Sequence, residues 1–154
     1  MRHASLFQHG TRPLFQKILV ANDGSEGARK ALVAAIELAQ IYGADLHAVT
    51  VEECLPQHQG SVVGGELRPK PQVADYLRRL LIQAGLTAAA SRERLTPHVL
   101  AGHEVEAIVT FIAEHQFDLL IVGFMGHSKI FGQEWGSNSQ NLTRLTPSPV
   151  LVVK

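Results

Sequence analysis

Short apolar runs alternate with amphipathic stretches along most of the chain. Five runs rich in β-branched residues end at turn-forming residues, which is typical of buried strands; they are Lys17–Ala21, Asp45–Val51, Leu95–Ala101, Asp118–Val122 and Pro149–Val153. Between them, apolar residues recur at helical spacing. Because parallel neighbours need a crossover, this alternation predicts an α/β fold with a five-stranded parallel sheet and helices on both faces.

Capping and turn residues predict where the helices begin and end. Ser25 is a suitable N-cap for the first helix, and Gly43 suits the position just past its end. Pro71 is placed to open a second helix. A third helix is expected from Glu104 to about His115 and a last one from Ser137 to Leu145. Residues 52–70, rich in Pro, Gly and Gln, are predicted to form a long surface loop.

Pro97 indicates the place of the third strand in the sheet. Proline cannot donate to a central hydrogen-bond ladder, so this strand should lie at an edge. One order of a doubly wound sheet that is compatible with this edge is 3-2-1-4-5. Ligands of such sheets bind beyond the carboxyl ends of the strands, where the order reverses, which is between strands 1 and 4.

Unusual residues follow both of those strands. Strand 1 leads into Asn22-Asp23-Gly24-Ser25, and strand 4 into Gly123, Gly126 and, after nine further residues, Gly136-Ser137-Asn138-Ser139 at a predicted helix start. Glycines let backbone N–H groups approach an anion closely, and serine hydroxyls and the helix dipole add to the attraction. The second segment therefore suits a polyphosphate, although glycines that only permit turns are the alternative.

This spacing of glycines and serines, followed by a helix and a terminal Pro149–Lys154 strand, resembles the universal stress protein family. Residues Ile18–Glu26 are similar to the family's opening strand and acidic turn, and Val99–Gly102 to the entry into its third helix. The resemblance extends over Lys17–Lys154 and implies the same order, 3-2-1-4-5. Members that carry the spaced glycines commonly bind ATP, and this chain resembles that subclass.

The resemblance also implies a role for each residue of a nucleotide site. Asp23 would contact the adenosine near the ribose, with turn capping as its alternative role. Ala21, Val51 and Val122 would line the adenine slot. The phosphates would be held by Gly123, Gly126, Gly136, Ser137, Asn138 and Ser139. The implied cofactor is ATP, with or without Mg²⁺, and AMP and ADP are alternatives. Phe124-Met125 and Asn138 depart from the residues common in the family at these positions.

Three functions are compatible with these residues. The first is an ATP-binding, stress-response regulatory protein that forms a homodimer through its last strand and acts on a protein partner of unknown identity. The second is a slow ATPase; no Walker-type ending and no obvious general base accompany the glycines. The third is a chaperone-like or scaffold member of the family that binds no nucleotide.

Composition narrows the setting. A chain of 154 residues suits one domain, expected over residues 17–154 after an N-terminal tail of residues 1–16. The 14 Lys and Arg balance the 14 Asp and Glu, which argues against nucleic acid as a partner. Apolar runs too short for a bilayer and a lone Cys54 predict a cytoplasmic protein without membrane contact. The eight histidines lack metal-ligand spacing, so no metal site is expected.

Overall fold

A parallel sheet forms the centre of the computed structural model, which describes residues 12–52, 70–85, 95–124 and 137–154. The strand order is β3-β2-β1-β4-β5, which confirms the predicted order. The strands are β1 (Lys17–Ala21), β2 (Asp45–Glu52), β3 (Leu95–Ala101), β4 (Leu119–Gly123) and β5 (Val150–Val153). The helices of the described ranges are α1 (Glu26–Tyr42), α2 (Lys70–Gln83), α3 (Glu104–His115) and α4 (Ser137–Leu145). Of the predicted long loop, residues 53–69 lie outside the described residues.

Both predicted ends of α1 are confirmed by its capping contacts. The Ser25 hydroxyl accepts the Ala28 N–H at 3.1 Å. Gly43 follows the last turn in the left-handed region, with φ 65°, which glycine adopts without the strain that a side chain imposes. At the second helix, α2 begins at Lys70, one residue before Pro71. Local residue chemistry therefore places helix ends to within one residue at these sites.

The edges of the sheet are formed by β3 and β5. Pro97 pairs with Ala48 of β2, and β3 has no second neighbour among the described strands. At the other edge, β5 pairs with Leu120–Gly123 of β4. The missing proline N–H thus lies in an edge strand, as the sequence predicts.

Each face of the sheet has its own hydrophobic core. Ile18, Val20 and Ile121 pack with α1 and α2 on one face, whereas Leu19 and Leu120 pack with α3 and α4 on the other. Successive strand residues enter opposite cores because strand side chains alternate between the two faces. The side chains of Ile18, Leu19 and Val20 are fully buried, and each contributes about 1.5–3 kcal/mol on burial.

At the amino edge of the sheet, Asp118 joins β4 to the start of β1. One Asp118 carboxylate oxygen accepts the N–H groups of Gln16 and Lys17 at 2.7 and 2.9 Å. The Lys17 ammonium donates to the carbonyl of His115 at 2.8 Å. Charge-assisted hydrogen bonds of this kind are stronger than neutral ones, so they fix the entry of the chain into the central strand.

Two histidines form a hydrogen-bonded pair on the face of the sheet that α3 covers. His47 Nδ1 and His98 Nε2 lie 2.9 Å apart, and the rings are nearly coplanar, at 8°, with centroids 5.2 Å apart. The distance between the ring centroids exceeds the N···N distance by about two ring radii. The two nitrogens therefore lie on the line that joins the centroids, and the hydrogen bond lies close to the plane of both rings. Phe111 and Phe117 contact this pair, at centroid distances of 4.8 Å from His98 and 5.1 Å from His47.

The half-buried histidine pair makes stability depend on pH. Burial, and then the charges of His98 and Lys17, lower the pKa of His47 from 6.5 to about 4. The folded state therefore favours neutral His47, and this contribution to stability is present above pH 6.5 and is lost as the pH falls toward about 4. We predict that Tm falls more steeply over this range in the wild type than in His47→Gln. Melts followed by circular dichroism at stepped pH values measure the difference.

The matched control replaces an exposed histidine. His103 lies on the surface just before α3, and His103→Gln measures the effect of removing a histidine outside the pair. Equal slopes for the wild type and His47→Gln would show that the pair makes no pH-dependent contribution.

Candidate functional site

The turn at the carboxyl end of β1 is held by its own side chains. Asn22 Oδ1 accepts the Gly24 N–H at 2.9 Å, and Asp23 Oδ1 accepts the Ser25 N–H at 2.9 Å. Gly24 adopts φ 82°, where a residue with a side chain would be strained. The turn continues directly into α1, so its shape fixes the start of that helix.

Asp23 makes the contact that the turn-capping alternative expects. One of its carboxylate oxygens accepts a backbone N–H from Ser25, yet the side chain is exposed at the carboxyl edge of the sheet. A carboxylate accepts several hydrogen bonds. Turn capping and contact with a ligand are therefore compatible roles for this residue.

Three apolar residues of the predicted adenine slot lie on one face of the sheet. Ala21, Val51 and Val122 come from the carboxyl ends of the neighbouring strands β1, β2 and β4, and all pack with the α3–α4 core. Val122 is buried, whereas Ala21 and Val51 are partly buried. We call these three residues the apolar strip. The structure brings the strip together, and its contact with adenine remains a prediction.

The start of α4 lies beside the end of β4. The Ser139 hydroxyl donates to the Phe124 carbonyl at 3.3 Å, and the Asn138 amide donates to the Glu104 carboxylate at 2.5 Å. The second contact joins the first turns of α3 and α4. Gly126, Gly136 and the Ser137 side chain lie outside the described residues.

A cleft of about 380 Å³ opens on the other face of the sheet, between the strand ends and α2. It is lined by Asn22, Asp23, Gly24, Thr50, Glu52, Tyr76, Arg79, Leu80 and Gln83. The contribution of α2 to this cleft was not predicted from the sequence, because the pairing of a helix with a distant turn leaves no local spacing signal. Asp23 lines this cleft and follows Ala21 of the apolar strip by two residues along the chain.

The described residues contain neither a cluster of metal ligands nor a helix able to span a membrane. No group of three or more His, Cys, Asp or Glu side chains in those ranges is arranged to hold a metal ion. None of the described helices has the length and hydrophobicity needed to cross a membrane.

Comparison with known proteins identifies the family. The model of the universal stress protein family matches residues 14–154. A universal stress protein of Thermus aquaticus is 30% identical over 146 residues, which cover 92% of this chain and 100% of that protein. Universal stress protein Rv1636 of Mycobacterium tuberculosis is 30% identical over 143 residues, which cover 90% and 96% of the two chains. The chain belongs to the universal stress protein family, which confirms the predicted membership.

Solved structures show the same fold. A universal stress protein in complex with cAMP is 28% identical with a TM-score of 0.65, over 91% of this chain and 97% of that one. The universal stress protein of Archaeoglobus fulgidus in complex with dAMP is 21% identical with a TM-score of 0.56, over 92% and 99%. The second likeness concerns the fold alone.

Gly123 lies where α1 packs directly on the end of β4. A Cβ atom at this position would be 2.5 Å from the carbonyl carbon of Gly27 and 2.9 Å from the nitrogen of Ala28. Such distances are far inside van der Waals contact. The fold therefore requires glycine at this position independently of any phosphate, a role that the sequence analysis did not anticipate.

This packing gives a stability prediction. Gly123→Ala should lower the free energy of unfolding by about 1–3 kcal/mol, because overpacking forces the backbone of α1 away from β4. Urea denaturation measures the change. The control is Gly43→Asn, where a Cβ meets nothing within 4 Å. Asparagine tolerates the left-handed region better than most other side chains, so this variant should lose less stability than Gly123→Ala. A stability of Gly123→Ala equal to that of the wild type would contradict the close approach.

Proposed function

We propose that the protein is an ATP-binding regulatory member of the universal stress protein family. The observation that carries the proposal is the meeting of the Asn22–Ser25 turn, the end of β4 and the start of α4 at one edge of the sheet. The strand order reverses at this point, where doubly wound sheets bind their ligands. The cAMP complex of a 28% identical protein with the same fold supports a nucleotide as the ligand.

The proposed orientation follows from charge and polarity. The adenine lies against the apolar strip, and Asp23 receives the ribose hydroxyls, because a carboxylate repels phosphate and accepts hydrogen bonds from hydroxyls. The phosphates lie toward α4, whose N-terminus attracts anions. The groups proposed to hold them, with or without Mg²⁺, belong to Gly123, Gly126, Gly136, Ser137, Asn138 and Ser139. A chain of zero net charge would in this way hold a polyphosphate with backbone donors.

The proposal predicts that the protein binds ATP at micromolar concentration or carries ATP, ADP or AMP when purified. Chromatography of the small molecules released by denaturation identifies a retained nucleotide. For the stripped protein, ATP at about 100 times Kd should add about 2.7 kcal/mol to the free energy of unfolding, since it binds the folded state. Gly136→Val should abolish the shift, because a branched side chain at this position would fill the space proposed for the phosphates.

Two outcomes separate the alternatives. If no nucleotide is released and millimolar ATP leaves Tm unchanged, the protein is not an ATP-binding member. If ATP binds and phosphate is released steadily, the slow-ATPase alternative replaces the regulatory one, and an Asp23→Ala variant serves as the background measurement.

We also propose a homodimer formed through β5. Leu151 is 37% exposed on this edge strand, and Val150, Val152 and Val153 are partly buried. An apolar edge strand invites pairing, and pairing with a twofold-related copy satisfies it. The Phe124 N–H donates to the Val153 carbonyl at 2.8 Å, so the proposed dimer strand is bonded to the segment that leads toward the phosphates. Nucleotide occupancy and assembly would thereby be linked.

The hydrogen-bond register identifies the residue that tests this dimer. The carbonyls of Pro149 and Val153 accept bonds from the β4 side, so Val150 and Val152 direct their backbone groups to the outer edge, since these alternate along a strand. Val152→Pro should therefore remove an outward N–H, spare the bonds to β4, and convert a dimer into a monomer in light scattering. Val152→Ala, which keeps the N–H, is the control and should remain dimeric. A wild type that is monomeric at high micromolar concentration would refute the proposal.

A further inference from the structure

Gln83, at the C-terminal end of α2, contacts the turn on both sides of Asp23. Asn22 Nδ2 donates to Gln83 Oε1 at 3.0 Å, and Gln83 Nε2 donates to the Ser25 carbonyl at 3.3 Å. The Gln83 amide therefore accepts a hydrogen bond from Asn22, which precedes Asp23, and donates one to Ser25, which follows it. The contacts span 61 and 58 residues of sequence, so they join separate parts of the fold.

Asn22 is the buried member of this contact. The residue is 6% exposed, and its N–H donates to the Val49 carbonyl at 2.8 Å. Its side-chain oxygen holds Gly24 and its side-chain nitrogen is bonded to Gln83. A buried amide that loses its partner is costly and tends to reorient. Loss of Gln83 would therefore disturb the residue that precedes Asp23.

The position of Gln83 is fixed by the packing of α2. Tyr76, Leu80 and Gln83 lie four and then three residues apart, so they share one face of the helix. Tyr76 and Leu80 are 4% and 1% exposed in the core on this side of the sheet. Two buried anchors thus hold the helix against the sheet and present the Gln83 amide to the turn.

We infer that Gln83 is a positioning residue of the nucleotide site, which acts through Asn22 and Ser25 to hold Asp23 toward the nucleoside. The inference rests on the proposed function. Gln83 lines the cleft on the α2 face, whereas the apolar strip lies on the α3–α4 face. In the proposed orientation the adenine lies against the strip, so Gln83 supports the turn from the opposite face of the sheet.

The experiment is a double-mutant cycle measured by calorimetric titration with ATP and with adenosine. Gln83→Leu keeps most of the side-chain volume and removes both hydrogen bonds. Its affinity for ATP and for adenosine should fall by the same factor, about fivefold, as expected for a lost neutral hydrogen bond. In an Asp23→Ala background, Gln83→Leu should cause no further loss for either ligand, because the group that it positions is absent.

Two further variants control for effects that are unrelated to the hydrogen bonds of Gln83. Gln83→Met should behave as Gln83→Leu does, which excludes a local misfit of leucine. Arg78→Leu changes an exposed residue of α2 and should leave both affinities unchanged.

The outcomes separate a failure of the proposed function from a failure of the positioning role of Gln83. If the wild type binds neither ligand, the proposed function fails and the inference fails with it. If the wild type binds but Gln83→Leu binds equally well, the inference alone is wrong. It is also wrong if Gln83→Leu weakens binding by the same factor with and without Asp23, since that result indicates a general structural effect.

Discussion

Everything in this molecule depends on the burial of β1 on both faces. Ile18, Leu19 and Val20 are fully buried and alternate between two separate cores. A strand without a solvent-facing side must lie in the middle of a sheet covered by helices, which is the condition for parallel pairing with both neighbours. The central position places the end of β1 next to the end of β4. The candidate site is thus a consequence of where this buried central strand ends.

The fold was predictable because its signals are local. Pro97 indicated an edge strand through its missing donor, and Ser25 and Gly43 indicated the limits of α1 through capping chemistry. Boundaries moved by at most one residue where strand ends carry little sequence information: β2 extends to Glu52, and β4 begins at Leu119 and ends at Gly123. By contrast, the His47–His98 bond spans 51 residues. Nothing in the spacing of the histidines marks that pair, because strand register alone brings it together.

The candidate site likewise contains parts that local sequence signals predict and parts that depend on contacts between distant residues. Sequence reasoning predicted the turn, which follows β1 directly, and the spaced glycines and serines that lead from β4 to α4, whereas the apolar strip was implied only by the family resemblance. It gave Gly123 a phosphate-binding role, whereas the close approach of Gly27 gives this glycine a packing role as well. It did not find Gln83, whose partners are 58 and 61 residues away. Contacts of that kind are set by how a helix lies on the sheet, which a single sequence does not encode in any short window.

The bonds of Asp118 at the amino edge have a practical consequence for measurement. They fix the start of β1 at the amino ends of the strands, and the candidate site lies at the carboxyl ends. Lys154 instead follows the carboxyl end of β5, and its ammonium lies 5.2 Å from the centre of the Phe124 ring. A surface-immobilisation handle joined directly ahead of Gln16 would thus start at the amino ends of the strands, whereas a handle fused after Lys154 is joined beside Phe124, at the carboxyl ends where the candidate site lies.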